Sequence, residues 1–145
     1  MDRLTPQRRS WLMSRVKSKN TSPEVRVRRA AHALGLRFRL HRRDIPGIPD
    51  IVFKKYKVAI FVHGCFWHRH KRCKKSTMPK TRTEFWKNKF RHNVQRDRRV
   101  ARALHELGWN VQVIWECETK DPGTLEDFLR RVFGLDKRGR RKAPA

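Results

Sequence analysis

Histidines and cysteines are concentrated in one run of the chain, residues 63–73, and both side chains bind zinc. Cys65, His70 and Cys73 can close around one ion, and Cys117, which follows a later apolar segment, can supply a fourth ligand. Three thiolates and one imidazole form a closed tetrahedral set, typical of structural zinc. All three cysteines are then used. We therefore predict a structural zinc site that fastens a long loop, residues 63–82, to the fold; free buried thiols are the alternative.

A second candidate site is Asp50, which follows a rigid turn containing two prolines at residues 45–49. Asp50 begins a short apolar strand, and the next apolar strand ends at Val62, just before His63. Neighbouring strands can bring the Asp50 carboxylate and the backbone of residues 62–63 within reach of one ion. Mg²⁺ prefers such oxygen ligands, and it can bind a phosphate and activate water. Each residue also has a simpler interpretation when it is considered alone. Asp50 could be an aspartate that caps its turn, and His68, which lies outside the zinc set, could be a polar loop residue.

Net charge is the main global feature of the chain, because 38 Lys and Arg against 13 Asp and Glu give +25 in 145 residues. Such a surface attracts a polyanion. An anionic membrane is a weaker candidate, since no apolar run approaches the ~20 residues of a membrane span and no basic amphipathic helix stands out. Without a signal peptide we expect a cytoplasmic protein that binds nucleic acid. Charge alone does not separate DNA from RNA, or an enzyme from a binding module.

The elements that must position these residues follow from hydrophobic periodicity and from helix start and stop signals. Predicted in chain order are a helix over 21–35, a half-buried strand over 36–40, strands over 51–53 and 58–62, a helix over 83–107, a strand over 109–115 and a helix from 124. The 58–62 strand is apolar on both faces, so we place it at the centre of the sheet. Thr21, Thr83 and Thr124 are the expected N-terminal caps. This order predicts an α/β fold.

The length of the chain fits one domain. Residues 1–20 are basic, with a few apolar side chains among them, and form either an arm that orders on a partner or a helix packed on the core. Residues 21–134 hold all the predicted elements. Residues 135–145 are a basic tail that we expect to be disordered.

Six short motifs together make the sequence recognisable. They are PGIPDIV (46–52), HGCFWHRH (63–70), TRTEFW (81–86), NVQRD (93–97), LGW (107–109) and WEC (115–117). In this order, and with nearly this spacing, they resemble the very short patch repair (Vsr) endonuclease family over about residues 7–133. The motifs are specific only in combination.

The resemblance implies a restriction-endonuclease-like fold of the PD-(D/E)XK superfamily, a mixed central sheet flanked by helices, with a structural zinc site. It implies a magnesium-dependent monomer that nicks one strand of double-stranded DNA 5′ of the thymine in a T·G mismatch. Such mismatches arise when 5-methylcytosine deaminates, and the nick begins very short patch repair. The setting would be the bacterial cytoplasm, at the nucleoid, with mismatch-repair proteins as candidate partners.

The same resemblance assigns roles in the chemistry. Asp50 would be the direct magnesium ligand, together with the main-chain carbonyl of Val62. His68 would be the catalytic base or proton shuttle, and Glu24 and His63 would hold metal-bound waters. The family's zinc ligands match Cys65, His70, Cys73 and Cys117.

The resemblance also assigns recognition residues. The aromatic residues that wedge into the DNA stack match Phe66, Trp67 and Trp86, while Met13 would approach from the other groove. Lys89 and Asn93 match positions expected to read base edges or the mismatched pair. A mismatched step is cheaper to unstack, so an aromatic wedge gains selectivity there. Taken without the family, Trp86 could equally pack in the core from its place on the helix stripe.

Some positions depart from the family pattern. Val62 stands where threonine is usual, Arg69 stands where a histidine is common, and one extra residue separates His70 from Cys73. We expect the latter two to affect only the shape of the loop. Two further hypotheses stay open: a zinc-stapled DNA-binding module without catalysis, and a nuclease that lacks T·G selectivity. An RNA-binding protein is less favoured, because no RNP-like motif is present.

Overall fold

A computed structural model describes residues 21–135 of the chain. The arm predicted over 1–20, with Met13, and the tail residues 136–145 lie outside the described residues. The elements are α1 (Ser22–Ala33), β1 (Arg39–Leu40), β2 (Ile51–Phe53), β3 (Val58–His63), α2 (Thr83–Glu106), β4 (Asn110–Trp115) and α3 (Pro122–Phe133), with short 3₁₀ turns at Lys54–Tyr56 and Glu116–Lys120. Of the helices within residues 21–135, none combines the length and apolarity that crossing a bilayer requires.

The four strands form one mixed sheet in the order β1-β2-β3-β4. β1 and β2 are antiparallel, as are β2 and β3, where Ile51 pairs with Ile60. β3 and β4 run parallel, with Val62 opposite Ile114, and α2 connects them across the sheet. The prediction that the 58–62 segment is a central strand is therefore confirmed.

The sheet is covered on both faces, which explains why β3 is apolar on both sides. On one face, side chains such as Ile60 of β3 pack with Val27 of α1 and Leu129 of α3. On the other face, Ala59 packs with Leu104 of α2 and with Trp109. The result is an α/β fold, as the element order predicted, and its helices and sheet form three layers. Leu135, the first residue of the expected tail, is also buried in the core.

Two local predictions were wrong in detail. The 36–40 strand is only two residues long, because Leu36 instead packs in the core while its N–H donates to the Ala31 carbonyl at 3.0 Å. This bond closes the end of α1 around Gly35, whose φ of +74° suits glycine. The last helix begins at Pro122, since the Asp121 side chain accepts the Gly123 N–H at 3.0 Å and so replaces Thr124 as the cap.

The other two expected caps also differ. Thr21 occupies the N-cap position of α1, but its side chain makes no capping hydrogen bond. Arg82 rather than Thr83 occupies the N-cap position of α2, and the Thr83 hydroxyl donates to the Lys80 carbonyl at 3.5 Å. The positions of these helices therefore depend on packing more than on hydroxyl caps.

Candidate functional site

Asp50 lies immediately before β2, at the end of the sheet where β3 leads into the long loop. The Val62 N–H donates to the Asp50 carboxylate, with 2.7 Å between nitrogen and Oδ2. In an antiparallel ladder a residue directs its N–H and its C=O to the same side of the strand. The Val62 carbonyl therefore faces the side on which Asp50 lies. The structure brings the two residues together as expected from the adjacent strands.

A second carboxylate, that of Glu24 on α1, is buried next to Asp50 and only 3% exposed. Burial raises the pKa of Asp50 to about 7, the bond from Val62 opposes the rise, and the charge of Glu24 adds to it. Oxygen atoms of both carboxylates and a nitrogen of His41 lie within 4.8 Å of one another. Two carboxylates in a buried site fit a hard divalent cation, which supplies the compensating charge.

Among the described residues, Arg28 and His41 both hold the Glu24 carboxylate. Arg28 Nη2, one turn along α1, donates to Glu24 Oε2 at 3.1 Å, and His41 Nε2 donates to the same oxygen at 3.2 Å. The sequence motifs do not single out His41. A histidine just after a strand carries no signal for this role, because its partner is 17 residues away in the chain.

His68 forms a pair with Asp97 of α2, with 2.7 Å between His68 Nδ1 and Asp97 Oδ2. Because a carboxylate can only accept here, Nδ1 carries the proton and Nε2 is left as the acceptor nitrogen when the ring is neutral. The sequence analysis missed the role of Asp97, which belongs to the motif at residues 93–97. Its spacing could have indicated the role, because Asp97 lies one turn beyond Asn93 on α2, on the helix face that lines the same cleft.

His63 stacks on His68 with ring centroids 3.9 Å apart and planes inclined by 6°. Burial and then the neighbouring His68 lower the pKa of His63 to about 4, so its ring is neutral at neutral pH. Imidazole lone pairs lie in the ring plane, and two parallel rings cannot both direct them at one ion. The stacked rings of His63 and His68 are therefore not arranged as two ligands of one cation.

The predicted zinc ligands converge: the donor atoms of Cys65, His70, Cys73 and Cys117 all lie within 4.8 Å of one another. Cys117 Sγ and His70 Nδ1 are 3.5 Å apart. A tetrahedral ion with bonds of ~2.3 Å to sulfur and ~2.0 Å to nitrogen separates two such ligands by about 3.5 Å. The four side chains thus have the chemistry and the spacing of a closed zinc site, and they tie the long loop to the end of β4.

The aromatic residues form one cluster at the start of α2. Phe66 contacts the rings of Trp67, Trp86 and Phe90 at centroid distances of 5.2, 5.9 and 5.1 Å. Trp86 is only 6% exposed and lies on the inner stripe of α2, whereas Phe66 and Trp67 are half-buried and line the cleft. The two loop aromatics are therefore the members that a ligand in the cleft can reach.

Arg69, one of the departures from the family pattern, organises the loop beside this cluster. Its guanidinium donates to the carbonyls of Phe66, Ser76 and Thr77 and lies 4.1 Å from the centroid of the Phe90 ring. Arg69 adopts a positive φ of +56°. This residue contributes to the shape of the loop, as expected, by fixing it from within.

A cleft of about 990 Å³ connects these groups. Its lining includes the candidate chemical residues Glu24, Asp50, Val62, His63 and His68, and the candidate recognition residues Phe66, Trp67, Lys89 and Asn93. The Asn93 amide donates to the Trp67 carbonyl at 3.2 Å, so it braces the loop as well as facing the cleft.

Comparison with known proteins gives one family and several close relatives. The family model described as DNA mismatch endonuclease Vsr matches residues 1–75. The chain is 51% identical over 132 residues to the type II nicking enzyme V.XorIIP of Xanthomonas oryzae. The aligned region covers 91% of this chain and 96% of that protein. It is 43% identical over 119 residues to the DNA mismatch endonuclease Vsr of Escherichia coli, covering 82% of this chain and 76% of that protein. Type II nicking enzyme V.NmeAIP of Neisseria meningitidis is 40% identical over 131 residues, with coverage of 90% and 93%.

Proposed function

This chain belongs to the Vsr family of DNA mismatch endonucleases, and we propose that it nicks one strand of duplex DNA on the 5′ side of the thymine in a T·G mismatch. DNA endonuclease activity follows from the family and its nicking-enzyme relatives. The observation that carries the finer proposal is a single cleft lined by Asp50, the His68–Asp97 pair and two half-buried aromatic side chains. The proposal is supported because the candidate chemical residues share this cleft with side chains that can stack on bases.

The cation of the proposed reaction is Mg²⁺, held by the Asp50 carboxylate and the main-chain carbonyl of Val62. Glu24 and His63 would contact it through water. The paired buried carboxylates and the orientation of the Val62 backbone support this assignment. When bound, Mg²⁺ would offset charge on the scissile phosphate and lower the pKa of a coordinated water.

His68 is the proposed base. Its Nδ1–H is fixed by Asp97, so the ring presents Nε2 to the cleft as the atom that can take a proton from the attacking water. The neutral His63 ring stacks on His68 and limits its rotation. The chain thus supplies an oriented base whose position depends on both partners.

Mismatch selection is proposed to come from the aromatic cluster. Phe66 and Trp67 would enter the stack at the mismatch, and the buried Trp86 would support their rings from behind. A T·G step is cheaper to unstack than a Watson–Crick step, so the same wedge deforms it at lower cost. Lys89 and Asn93 are the proposed readers of base edges, and Met13 the proposed contact from the opposite groove.

The remaining proposed features are structural and cellular. Zn²⁺ bound by Cys65, His70, Cys73 and Cys117 would hold the recognition loop in place without entering the chemistry. A restriction-endonuclease-like identity for the mixed sheet is part of this proposal. The enzyme would act as a cytoplasmic monomer at the nucleoid, starting very short patch repair, with mismatch-repair proteins as candidate partners.

A strand-resolved cleavage assay tests the proposal on two duplexes that differ only in carrying T·G or C·G at one position. Wild type and Asp50→Ala are compared with Mg²⁺, in several sequence contexts. We expect one nick 5′ of the mismatched thymine, absent with the C·G duplex and with the variant. Binding without a nick in any context would favour the non-catalytic DNA-binding module, and equal cutting of both duplexes would remove the mismatch from the proposal.

A further inference from the structure

His41 follows directly after β1 and adopts φ of +47°, the left-handed region that non-glycine residues seldom occupy. Its N–H donates at 3.4 Å to the carbonyl of Asp50, the residue just before β2. At this backbone turn the His41 imidazole lies against Glu24 of α1. Such locally costly conformations persist where the surrounding structure requires them, often at functional sites.

The contact between His41 and Glu24 differs in kind from the contact between Arg28 and Glu24. Arg28 and Glu24 belong to the same helix, four residues apart, so their ion pair holds the carboxylate only relative to α1. The bond from His41 Nε2 to Glu24 Oε2 joins α1 to the β1–β2 hairpin, the hairpin whose second strand begins next to Asp50. This bond therefore connects the Glu24 carboxylate to the part of the fold that carries Asp50.

We propose that His41 is a positioning residue that sets the affinity of the nuclease centre for its divalent cation by holding Glu24 beside Asp50. This inference rests on the proposed function, because the cation is the one assigned there. A polar partner that orients a carboxylate at a cation site typically changes metal affinity 10- to 100-fold when it is removed. His41 acts through its hydrogen bond, since hard cations prefer oxygen and the Nε2 atom is engaged by Glu24.

Four variants separate this role from others. His41→Gln keeps an N–H donor that can reach Glu24, but offers no imidazole. His41→Ala and His41→Leu remove the donor, and the leucine variant also fills the space. His32→Ala removes an exposed histidine in the last turn of α1 and serves as the matched control.

Binding of Mn²⁺ is measured by electron paramagnetic resonance on the zinc-loaded protein without DNA, and Mg²⁺ is measured by competition. We expect the affinity for both ions to fall about 10-fold in His41→Ala and His41→Leu. Affinity should stay within about 2-fold of wild type in His41→Gln and His32→Ala. The melting temperature is recorded in parallel, and a purely structural role would lower it without changing the affinity of the folded protein.

Three results would overturn the inference. His41→Gln could lose Mn²⁺ as fully as His41→Ala while keeping Mg²⁺, which would make His41 a ligand in its own right, because Mn²⁺ accepts imidazole more readily. All variants could bind like wild type, or the wild type could lack the site. Because no step uses DNA, the failure of T·G nicking in the cleavage assay would leave these outcomes independently readable.

Discussion

The imidazole of His68 and the carboxylate of Asp97, 29 residues apart in the chain, form a hydrogen bond of 2.7 Å across the candidate cleft. This bond decides which nitrogen of His68 faces the cleft. Replacing Asp97 by asparagine removes the charge and allows the side-chain amide to donate, which favours the wrong tautomer. We expect nicking by Asp97→Asn to be slower by about 10²-fold or more, within the range typical of general base catalysis.

The measurement is single-turnover nicking with saturating Mg²⁺, together with the affinity for DNA. The affinity for DNA should be nearly unchanged, because Asp97 contacts His68, the proposed general base, and is not proposed to contact the DNA phosphate. Asp127→Asn, at an exposed carboxylate on α3, is the matched control. Equal rates for wild type and Asp97→Asn would show that the pair does not orient a base.

Asp50 is expected to reduce the stability of the protein when no magnesium is present. Its pKa is raised to about 7 from 3.8, mainly by burial. Because the pKa is higher in the folded state, the contribution of this group to the free energy of unfolding is fully present below about pH 3.8. That contribution is lost as the pH rises through about 7. Asp50→Asn removes this loss and keeps an oxygen that can accept the Val62 N–H.

In magnesium-free buffer we therefore expect Asp50→Asn to melt at a higher temperature than wild type at pH 8, with a smaller difference at pH 6. At 1.36 kcal/mol per pKa unit, the gain in the free energy of unfolding is at most about 4 kcal/mol. Added Mg²⁺ should raise the melting temperature of wild type alone. A variant that is no more stable than wild type at pH 8 would contradict the burial of this charge.

Zinc removal should disrupt the fold around the long loop. Metal binding and folding are coupled in sites of this kind, and the four ligands join the loop to the end of β4. We expect Cys117→Ser to purify with less than one equivalent of zinc and to melt at a clearly lower temperature. Re-adding zinc to chelated wild type should restore its transition. An unchanged thermal unfolding transition after verified zinc removal would contradict the structural role of the zinc site.

Trp67 should matter for nicking at mismatches far more than its neighbour Phe85. Trp67 lines the cleft, whereas Phe85 is 46% exposed and is absent from the residues that line it. Losing one stacked aromatic costs about 1–3 kcal/mol at a base. We expect Trp67→Ala to slow T·G nicking by about 10- to 100-fold and Phe85→Ala to leave it within about 2-fold. Comparable rates for all three proteins would favour a nuclease without mismatch selectivity.

Gly47 makes the close approach that places the Asp50 turn against α2. A Cβ at Gly47 would lie 2.1 Å from Val100 Cγ1, and Gly47 also has φ of +75°. Gly35→Ala is the control, because its φ is +74° but nothing lies within 4 Å of the added carbon. We expect Gly47→Ala to lose about 1–3 kcal/mol more of the free energy of unfolding than Gly35→Ala.

A second substitution, at Val100, tests whether Val100 is the source of the clash. Val100→Ala in the Gly47→Ala background should recover much of the extra loss, since it removes the atoms that the new carbon meets. Chemical denaturation of the four proteins measures it. If Gly47→Ala is no worse than Gly35→Ala, the turn does not depend on this contact.

The sequence by itself determined the element order, the central place of β3 and the set of four Cys and His side chains that converge. These properties are local or additive. A strand that is apolar on both faces must be covered on both, and three cysteines with histidines close by in the chain are typical of a closed zinc site. The family motifs could also be recognised from the sequence, because each is a short continuous run and the runs occur in the order typical of the family.

Only the tertiary structure decided which polar groups meet across the cleft. The partners of His68 and Glu24, Asp97 and His41, lie 29 and 17 residues away, and hydrophobic periodicity says nothing about the rotation of α2 or the turn after β1. The same holds for Leu36, which the alternating pattern assigned to a strand but which the end of α1 draws into the core. The spacing of apolar side chains indicates whether a segment is a helix or a strand. These contacts depend instead on how the helices and strands pack on one another.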